Sequence, residues 1–409
     1  MAVRRGTSGN DQMGAGPNDQ IYLGAGNDAL YSYGGFGADA LYAGGYGIDF
    51  FSVHQVGTQQ IDLTDLDWSG FEHLELLDEM GNFWASARIN ADDLDMLRSV
   101  TATELWVAGP GRASLRGTEL TFGTINLATG GAFIDLAGVI SNFDMIVEGS
   151  SGADSVSGST KNDTLNGNDG NDRLIGGAGN DILDGGNGID VLDGSSGADT
   201  MTGGAGGDLY FVDNLNDRVI ELAGGGVDTI KAVVGFWLPA NVERLTLIGT
   251  RSITGVGNFL DNVMIANDAG NQLNGAGGND NLIGGAGVDS FLGGTGTDIF
   301  YGGASGDRFA FREGEFGATL SLGDRIRDFS HDEGDRIDLS DIDADRTRGG
   351  NQAFKFIGTN RYSGAAGELR YQYRGNETLI VADLDGDRMN DLVIRLDGLH
   401  DLIGADFRL

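Results

Sequence analysis

Seven aspartates return at every ninth residue between 149 and 213: Asp154, Asp163, Asp172, Asp181, Asp190, Asp199 and Asp208. An ionised carboxylate offers two acceptor oxygens and no donor. Repeated through glycine-rich turns, where backbone carbonyls add further oxygens, it is the ligand type that a hard divalent cation requires. Calcium accepts six to eight such ligands in a loose geometry, whereas magnesium demands a strict octahedron and keeps its waters, so calcium is the expected ion. The chain has no cysteine, and its four histidines (His54, His73, His331, His400) are scattered, which excludes the usual zinc and copper ligand sets.

The elements that must position these carboxylates follow from the residues around them. Two places after each aspartate stands a mostly apolar side chain, in order Val156, Leu165, Leu174, Leu183, Leu192, Met201 and Tyr210. Ahead of each lies a turn such as Gly176-Gly177-Ala178-Gly179-Asn180-Asp181, so the unit is G-G-x-G-x-D-x-U-x with U large and apolar. A fixed period takes precedence over local secondary structure. Only the x-U-x part reads as strand, and the six glycine-rich residues turn the chain, since glycine tolerates positive φ.

Two repeats then make one coil of a parallel β-solenoid. Val156, Leu174, Leu192 and Tyr210 stack on one sheet, and Leu165, Leu183 and Met201 on the other. The aspartates divide in the same way into two edge rows. Row neighbours would lie ~4.8 Å apart, the spacing of paired strands, and repel by roughly 1 kcal/mol each in water. One apolar side chain per repeat does not offset the ordering of nine backbones. The coils are therefore expected to form with a bridging cation and to be disordered without one.

The bulk composition narrows the partners. Sixty-one acidic residues face 26 basic ones, a net charge of −35, which argues against nucleic acid and anionic lipid surfaces. Disulfides are excluded. No apolar run approaches the ~18 residues of a membrane-spanning helix. The start, Met1-Ala2-Val3-Arg4-Arg5-Gly6-Thr7, has no apolar segment behind its arginines and is not expected to act as a Sec-type signal.

Taken in order, the chain divides into six expected segments. Residues 1–51 are a worn repeat block with uneven spacing, in which Asp11, Asp28, Asp39 and Asp49 are weaker metal candidates. Residues 52–148 are a solenoid-like spacer with strand patterns at 121–127 and 133–136 and a short helix expected over 91–99. The main block is 149–213, and a bridging β segment occupies 214–262. A further block at 263–311 resumes the nine-residue register at Asn271, Asp280, Asp289, Asp298 and Asp307. Residues 312–409 gain arginine, lose glycine and read as a β-rich cap for the open apolar end. Three positions depart from the repeat: Lys161 and Ser305 replace turn glycines, and Asn271 replaces an aspartate.

With these motifs the chain resembles the RTX, or hemolysin-type calcium-binding repeat, family. That resemblance implies a right-handed parallel β-roll with calcium in the turns, held by the aspartates of 149–213 and by Asp280, Asp289, Asp298 and Asp307. It further implies ligand carbonyls at Gly177, Gly179, Gly186, Gly188, Gly285, Gly287, Gly294 and Gly296. The phrases Gly323-Asp324-Arg325-Ile326-Arg327-Asp328-Phe329 and Asp335-Arg336-Ile337-Asp338-Leu339-Ser340-Asp341-Ile342-Asp343-Ala344, with the ending Ala405-Asp406-Phe407-Arg408-Leu409, resemble the C-terminal domain of serralysin-type peptidases. This implies a roll cap carrying an uncleaved signal for type I export from a Gram-negative bacterium. Arg408 departs from the usual apolar ending.

No catalytic constellation stands out. H-E-x-x-H and G-x-S-x-G are both absent. Glu72, His73, Asp92 and Asp93 could serve a polysaccharide lyase or epimerase, but a solvated strand face accounts for His73 better. Asp383, Asp385 and Asp387 open a loop similar to an EF-hand, with Arg388 at the sixth position where glycine belongs and Ile394 at the twelfth where glutamate belongs. A calcium loop and a surface turn both remain open there. The expected function is a secreted, calcium-folded, non-enzymatic β-roll protein. The alternatives are a surface-layer, adhesive or matrix component and a polysaccharide-active enzyme, with extracellular polysaccharide as a partner.

Overall fold

The computed structural model describes residues 143–315, 317 and 323–409 throughout; before 143 it describes the short strands from Val3–Arg5 to Ile140–Ser141 together with residues 115, 131–137 and 139. Its chain divides into two compact units, one of residues 1–210 with 216–220, the other of 211–215 with 221–409. Both are β-solenoids of stacked parallel strands, and among the described residues the one helical element is the 3₁₀ turn Gly404–Asp406.

The first unit builds its rungs at two pitches. In the repeat block Ser155–Ser157 pairs with Arg173–Ala178, and that with Val191–Ser196, always 18 residues on. The facing sheet stacks Ile146–Glu148, Thr164–Asn166, Ile182–Asn187, Thr200–Ala205 and Arg218–Ile220 with the same step. Before it the coils lengthen: Phe50 lies beside His73, His73 beside Ser99, and Leu105 beside Ile125. The segment 52–148 is thus a solenoid of irregular pitch. Within it the expected strands appear as Thr124–Leu127 and Phe133–Asp135. The helix expected over 91–99 falls outside the described residues except for Ser99, which opens the strand Ser99–Thr101.

The repeat block departs from expectation in strand length. Four strands from Arg173–Ala178 to Thr200–Ala205 run six residues, past x-U-x and into the glycines. Pairing persists because Gly186 stays opposite Gly204 in the ladder, while the Asn187 N–H still reaches the Asn168 carbonyl at 2.7 Å. The apolar U residues fill the interior as their alternation demands: Val156, Leu165, Leu174, Leu183, Leu192, Met201 and Tyr210 are all buried.

The second unit carries two sheets. One runs from Thr229–Ala232 through Arg244–Leu247, Val263–Ile265, Asn281–Ile283, Ile299–Tyr301 and Asp324–Ile326 to Leu392–Asp397. There it turns antiparallel through Glu377–Asp383 and Glu368–Arg374. The other stacks Phe236–Trp237, Thr254–Val256, Gln272–Asn274, Ser290–Leu292, Arg308–Arg312, Arg336–Asp341 and Phe407–Arg408 in parallel. The arginine-rich tail therefore closes both sheets. Arg327 and Arg395 pair with Asp397 at 3.0 Å and Glu377 at 2.7 Å. Arg408 contacts the buried Asp338 at 3.3 Å, which gives the polar ending a structural role.

Between the sheets, Phe291 and Phe309 stack at 5.3 Å, with Phe300 edge-on to both at 6.2 and 5.9 Å. Edge-to-face and offset stacks of this kind add to simple burial. Phe300→Ala should therefore cost about 3–5 kcal/mol in denaturant unfolding of the calcium-loaded chain. Phe259→Ala, at a ring 91% exposed, should stay within about 0.5 kcal/mol. Equal midpoints for the two variants would contradict this packing.

Candidate metal centre

Each row aspartate joins its coil to the one before. The N–H of Asp154 donates to Asp172 Oδ1 at 2.7 Å, that of Asp172 to Asp190 Oδ1 at 2.7 Å, and that of Asp190 to Asp208 Oδ1 at 2.8 Å. On the other edge Asp163, Asp181 and Asp199 donate in turn to Asp181, Asp199 and Asp217, at 2.7, 2.8 and 3.0 Å. The second unit repeats the relay from Asp280 to Asp298 and from Asp289 to Asp307, at 2.8 and 2.7 Å. The two expected rows are thus chains of backbone-to-carboxylate bonds.

This relay uses one oxygen and strands the other. In Asp172, Asp181, Asp190, Asp280, Asp298 and Asp307, Oδ2 is buried and accepts no hydrogen bond. It sits against the turn's first glycine: a Cβ on Gly176 or Gly185 would overlap Oδ2 of Asp181 or Asp190. Above, the turns touch through carbonyls. Gly188 stands at φ +143°, and a Cβ there would collide with the Gly170 carbonyl of the coil below. Buried acceptors lined with carbonyl oxygen and lacking a donor are a fit for a hard cation and for little else.

The electrostatics agree. Burial first, then repulsion from nearby carboxylates (row neighbours for most, Glu315 and Asp261 for Asp298), pushes the carboxyls up against the pull of the relay bonds. Asp172 and Asp307 reach about 7, Asp181 and Asp298 about 6, and Asp280 about 8. Asp163, Asp190, Asp208 and Asp289 are raised in the same direction, each by burial first.

Not every turn is alike. Asp154 Oδ2 accepts both the N–H and hydroxyl of Ser150, at 2.8 and 3.0 Å. Asp163 Oδ2 accepts the Ser159 N–H at 2.6 Å, and Asp289 Oδ2 the Gly285 N–H at 2.9 Å. Lys161 is accommodated because its N–H donates to Ser159 Oγ at 3.1 Å. Ser305 takes up the glycine-like φ of +80° and donates its hydroxyl to the Ala286 carbonyl at 2.9 Å. Of the glycine carbonyls named from the sequence, those of Gly179, Gly186, Gly188 and Gly285 lie against a glycine one coil on, and that of Gly285 also accepts the Ala304 N–H at 3.0 Å. Gly177 accepts the Ser196 hydroxyl at 3.3 Å, and Gly287, Gly294 and Gly296 lie in the stacked turns of the second unit.

Three row members escaped the sequence reading. Asp217 is nine residues after Asp208, with buried Val219 two places on, but it lacks the glycine turn that drew attention to the others. Asp324 and Asp335 accept the Asp298 and Asp307 N–H groups at 2.9 and 2.8 Å, from 26 and 28 residues away. The period fails there, yet the D-x-U phrase survives in Ile326 and Ile337. Burial pushes Asp324 to about 8.

Asp11, Asp28, Asp39 and Asp49 lie outside the described residues, as do Glu72, Asp92 and Asp93. In the cap loop, Asp383, Asp385 and Asp391 carboxylates gather within 4.8 Å of one another. Asp387 accepts the Met389 N–H at 2.7 Å instead. Arg388 itself takes the left-handed φ of +71° that its position demands. His331 pairs with Asp406, and His400 Nε2 lies 2.7 Å from the Asp397 carbonyl, so both are occupied in the cap.

The raised carboxyls fix a pH dependence. Unfolded aspartates titrate near 3.8, so between about pH 4 and 8 the metal-free fold binds more protons than the unfolded chain, and stability falls as pH rises through that window. In chelator, the residual β content by circular dichroism should accordingly be higher at about pH 4.5 than at about pH 8. A flat or rising trend would contradict the burial described here.

Comparison with known proteins agrees with this geometry. A family model of the RTX calcium-binding nonapeptide repeat matches residues 5–36, 148–183 and 184–219. The serralysin C-terminal model of peptidase M10 matches 206–409, so it takes in the second repeat block as well as the cap. A search of curated proteins gives no match. Among solved structures, the AlgE6R3 subunit of the mannuronan C5-epimerase of Azotobacter vinelandii is 30% identical over 39% of this chain and 82% of that one, with a TM-score of 0.29. Extracellular lipase LipA of Serratia marcescens is 19% identical over 76% of this chain and 44% of that one, with a TM-score of 0.28.

Proposed function

The chain belongs to the RTX calcium-binding repeat proteins and ends in a serralysin-type C-terminal region, and from that premise we infer an exported β-roll protein whose repeat coils fold on calcium. The observation that carries this is the file of buried Oδ2 atoms without donors. Asp172, Asp181, Asp190, Asp280, Asp298 and Asp307 would present that oxygen, and Asp199, Asp208 and Asp289 would add carboxylate oxygens from the same rows. The carbonyls of Gly177, Gly179, Gly186, Gly188, Gly285, Gly287, Gly294 and Gly296 would complete the oxygen set. A bound calcium ion supplies two positive charges against stacked carboxylates and tolerates their irregular geometry. The glycines exclude Cβ atoms from the space, and the relay bonds hold each Oδ1 so that Oδ2 points inward.

Extracellular calcium modules bind at roughly 10⁻⁴–10⁻³ M. Cytosolic calcium lies far below that range, so the aspartate-bearing repeat coils would remain unfolded until export by a type I route and fold by linkage outside. Folding itself, rather than catalysis, is the chemistry this reading assigns. Circular dichroism across a calcium titration should show β content rising cooperatively through that concentration range. Asp190→Asn should shift the midpoint to higher calcium, and equal spectra in chelator and in calcium would sink the reading.

An extracellular acidic polysaccharide is a second reading, favoured by one feature. A groove of about 190 Å³ in the second unit is lined by Gln272, Asn274, Ser290, Arg308, Arg312 and Asp341, and its arginines pair with Asp338 at 2.6 Å and Asp341 at 3.6 Å, so a uronate would compete with these carboxylates for them. Arg312→Ala should weaken retention on a uronate polymer at low salt; unchanged retention would remove the support.

A further inference from the structure

The first coil of the second unit's repeat block differs from those after it. Its two turns carry paired asparagines where the repeat has glycine and aspartate: Asn258 with Asn262, then Asn267 with Asn271, nine residues apart. The backbone relay is intact, since Asn262 and Asn271 donate their N–H groups to Asp280 Oδ1 and Asp289 Oδ1 at 2.7 and 2.6 Å. Their side chains behave differently from aspartate. Asn271 Nδ2 donates to the Asn267 carbonyl at 3.0 Å, to Asn267 Oδ1 at 2.8 Å and to the Ala269 carbonyl. Asn262 Nδ2 donates to the Val242 carbonyl and to Asn258 Oδ1, both at 3.2 Å.

The second-position asparagines tie the turns to the coil below. Asn258 Nδ2 donates to the Pro239 and Val242 carbonyls at 2.7 and 2.8 Å, and Asn267 Nδ2 to the Arg251 carbonyl at 2.9 Å. That coil buries Leu245 and Leu247, and the aspartate row stops beneath it: Asp228, two places before the buried Ile230, donates its N–H to a Glu243 carboxylate oxygen at 2.9 Å. A primary amide supplies both an acceptor and two donors, whereas a carboxylate supplies acceptors only. In these two turns the amide N–H groups address the carbonyls that a cation would otherwise meet, so the residues present do not fit a metal.

We propose that the Asn258/Asn262 and Asn267/Asn271 turns form a metal-independent starter coil on which the calcium-dependent coils of 275–311 assemble. The proposal rests on the calcium reading above. With Asn271 and Asn262 already satisfied, strands Val263–Ile265 and Gln272–Asn274 keep their hydrogen bonds in chelator. Asn281–Ile283 and Ile299–Tyr301, flanked by the bare carboxylates of Asp280 and Asp298, do not.

Hydrogen–deuterium exchange of the full chain, in chelator and in calcium, tests this. Peptides covering 254–274 should exchange slowly in both conditions, about 10-fold or more slower in chelator than peptides covering 281–301, which calcium alone should protect. Exchange of 254–274 in chelator as fast as 281–301 overturns the starter coil while leaving the calcium reading intact. Calcium-insensitive protection of all these peptides overturns both. In the Asn262→Asp, Asn271→Asp double variant, protection of 254–274 should become calcium-dependent and calcium bound per chain in equilibrium dialysis should rise. A variant still protected in chelator refutes the proposal. If it fails to fold, the wild-type comparison decides.

Discussion

The interaction on which the rest depends is the hydrogen bond from one row aspartate's backbone N–H to Oδ1 of the aspartate one coil on. It is a charge-assisted bond at 2.7–2.8 Å along most of both rows. It holds the coils in register without side-chain pairing, and it does so with an acid at every step. Because it engages a single oxygen, it forces the second into a space from which water and Cβ atoms are both excluded. The cation site we propose is therefore a by-product of the stacking bond rather than a separate device attached to the surface.

Much of this was legible in the sequence, because an 18-residue coil maps directly onto a nine-residue period. The U residues fall on alternate sheets as read, and the aspartates on alternate edges. What the period could not convey was direction. Nothing in G-G-x-G-x-D-x-U-x says that Oδ1 is consumed by an N–H and Oδ2 left bare, and so the difference between Asp163 and Asp181 was invisible. That difference comes from Ser159, four residues upstream, whose backbone and hydroxyl reorganise the turn. Asp324 and Asp335 were missed for a complementary reason: loops of irregular length separate them from Asp298 and Asp307, so only three dimensions restore the row.

The departures from the repeat then become informative rather than merely worn. Ser150, Ser159, Asn262 and Asn271 all stand in the first coil of a block, and all bring donors to a place where the turns of Asp172, Asp181, Asp190, Asp280, Asp298 and Asp307 have none. A Cβ on Gly186 or Gly204 would strike the carbonyl below, whereas Asn168, Ser195 and Ala276 hold the same second position by adopting a left-handed φ of +71°, +60° and +72°.

A solenoid stabilised only between neighbours needs a beginning and an end. At the end, the second unit passes its two rows to Asp324 and Asp335. It then covers the open edge with an antiparallel hairpin and the strand Phe407–Arg408, and its arginines neutralise Asp338, Asp397 and Glu377 internally. The cap thus accepts the last carboxylate relay while supplying fixed positive charge of its own. If every coil demanded a mobile cation before it could pair, the first pairing would face the full loop-ordering cost with no template. A coil closed by neutral amides at one end and a cap closed by arginines at the other would confine the proposed cation requirement to the interior of the stack, where each new turn already has a partner.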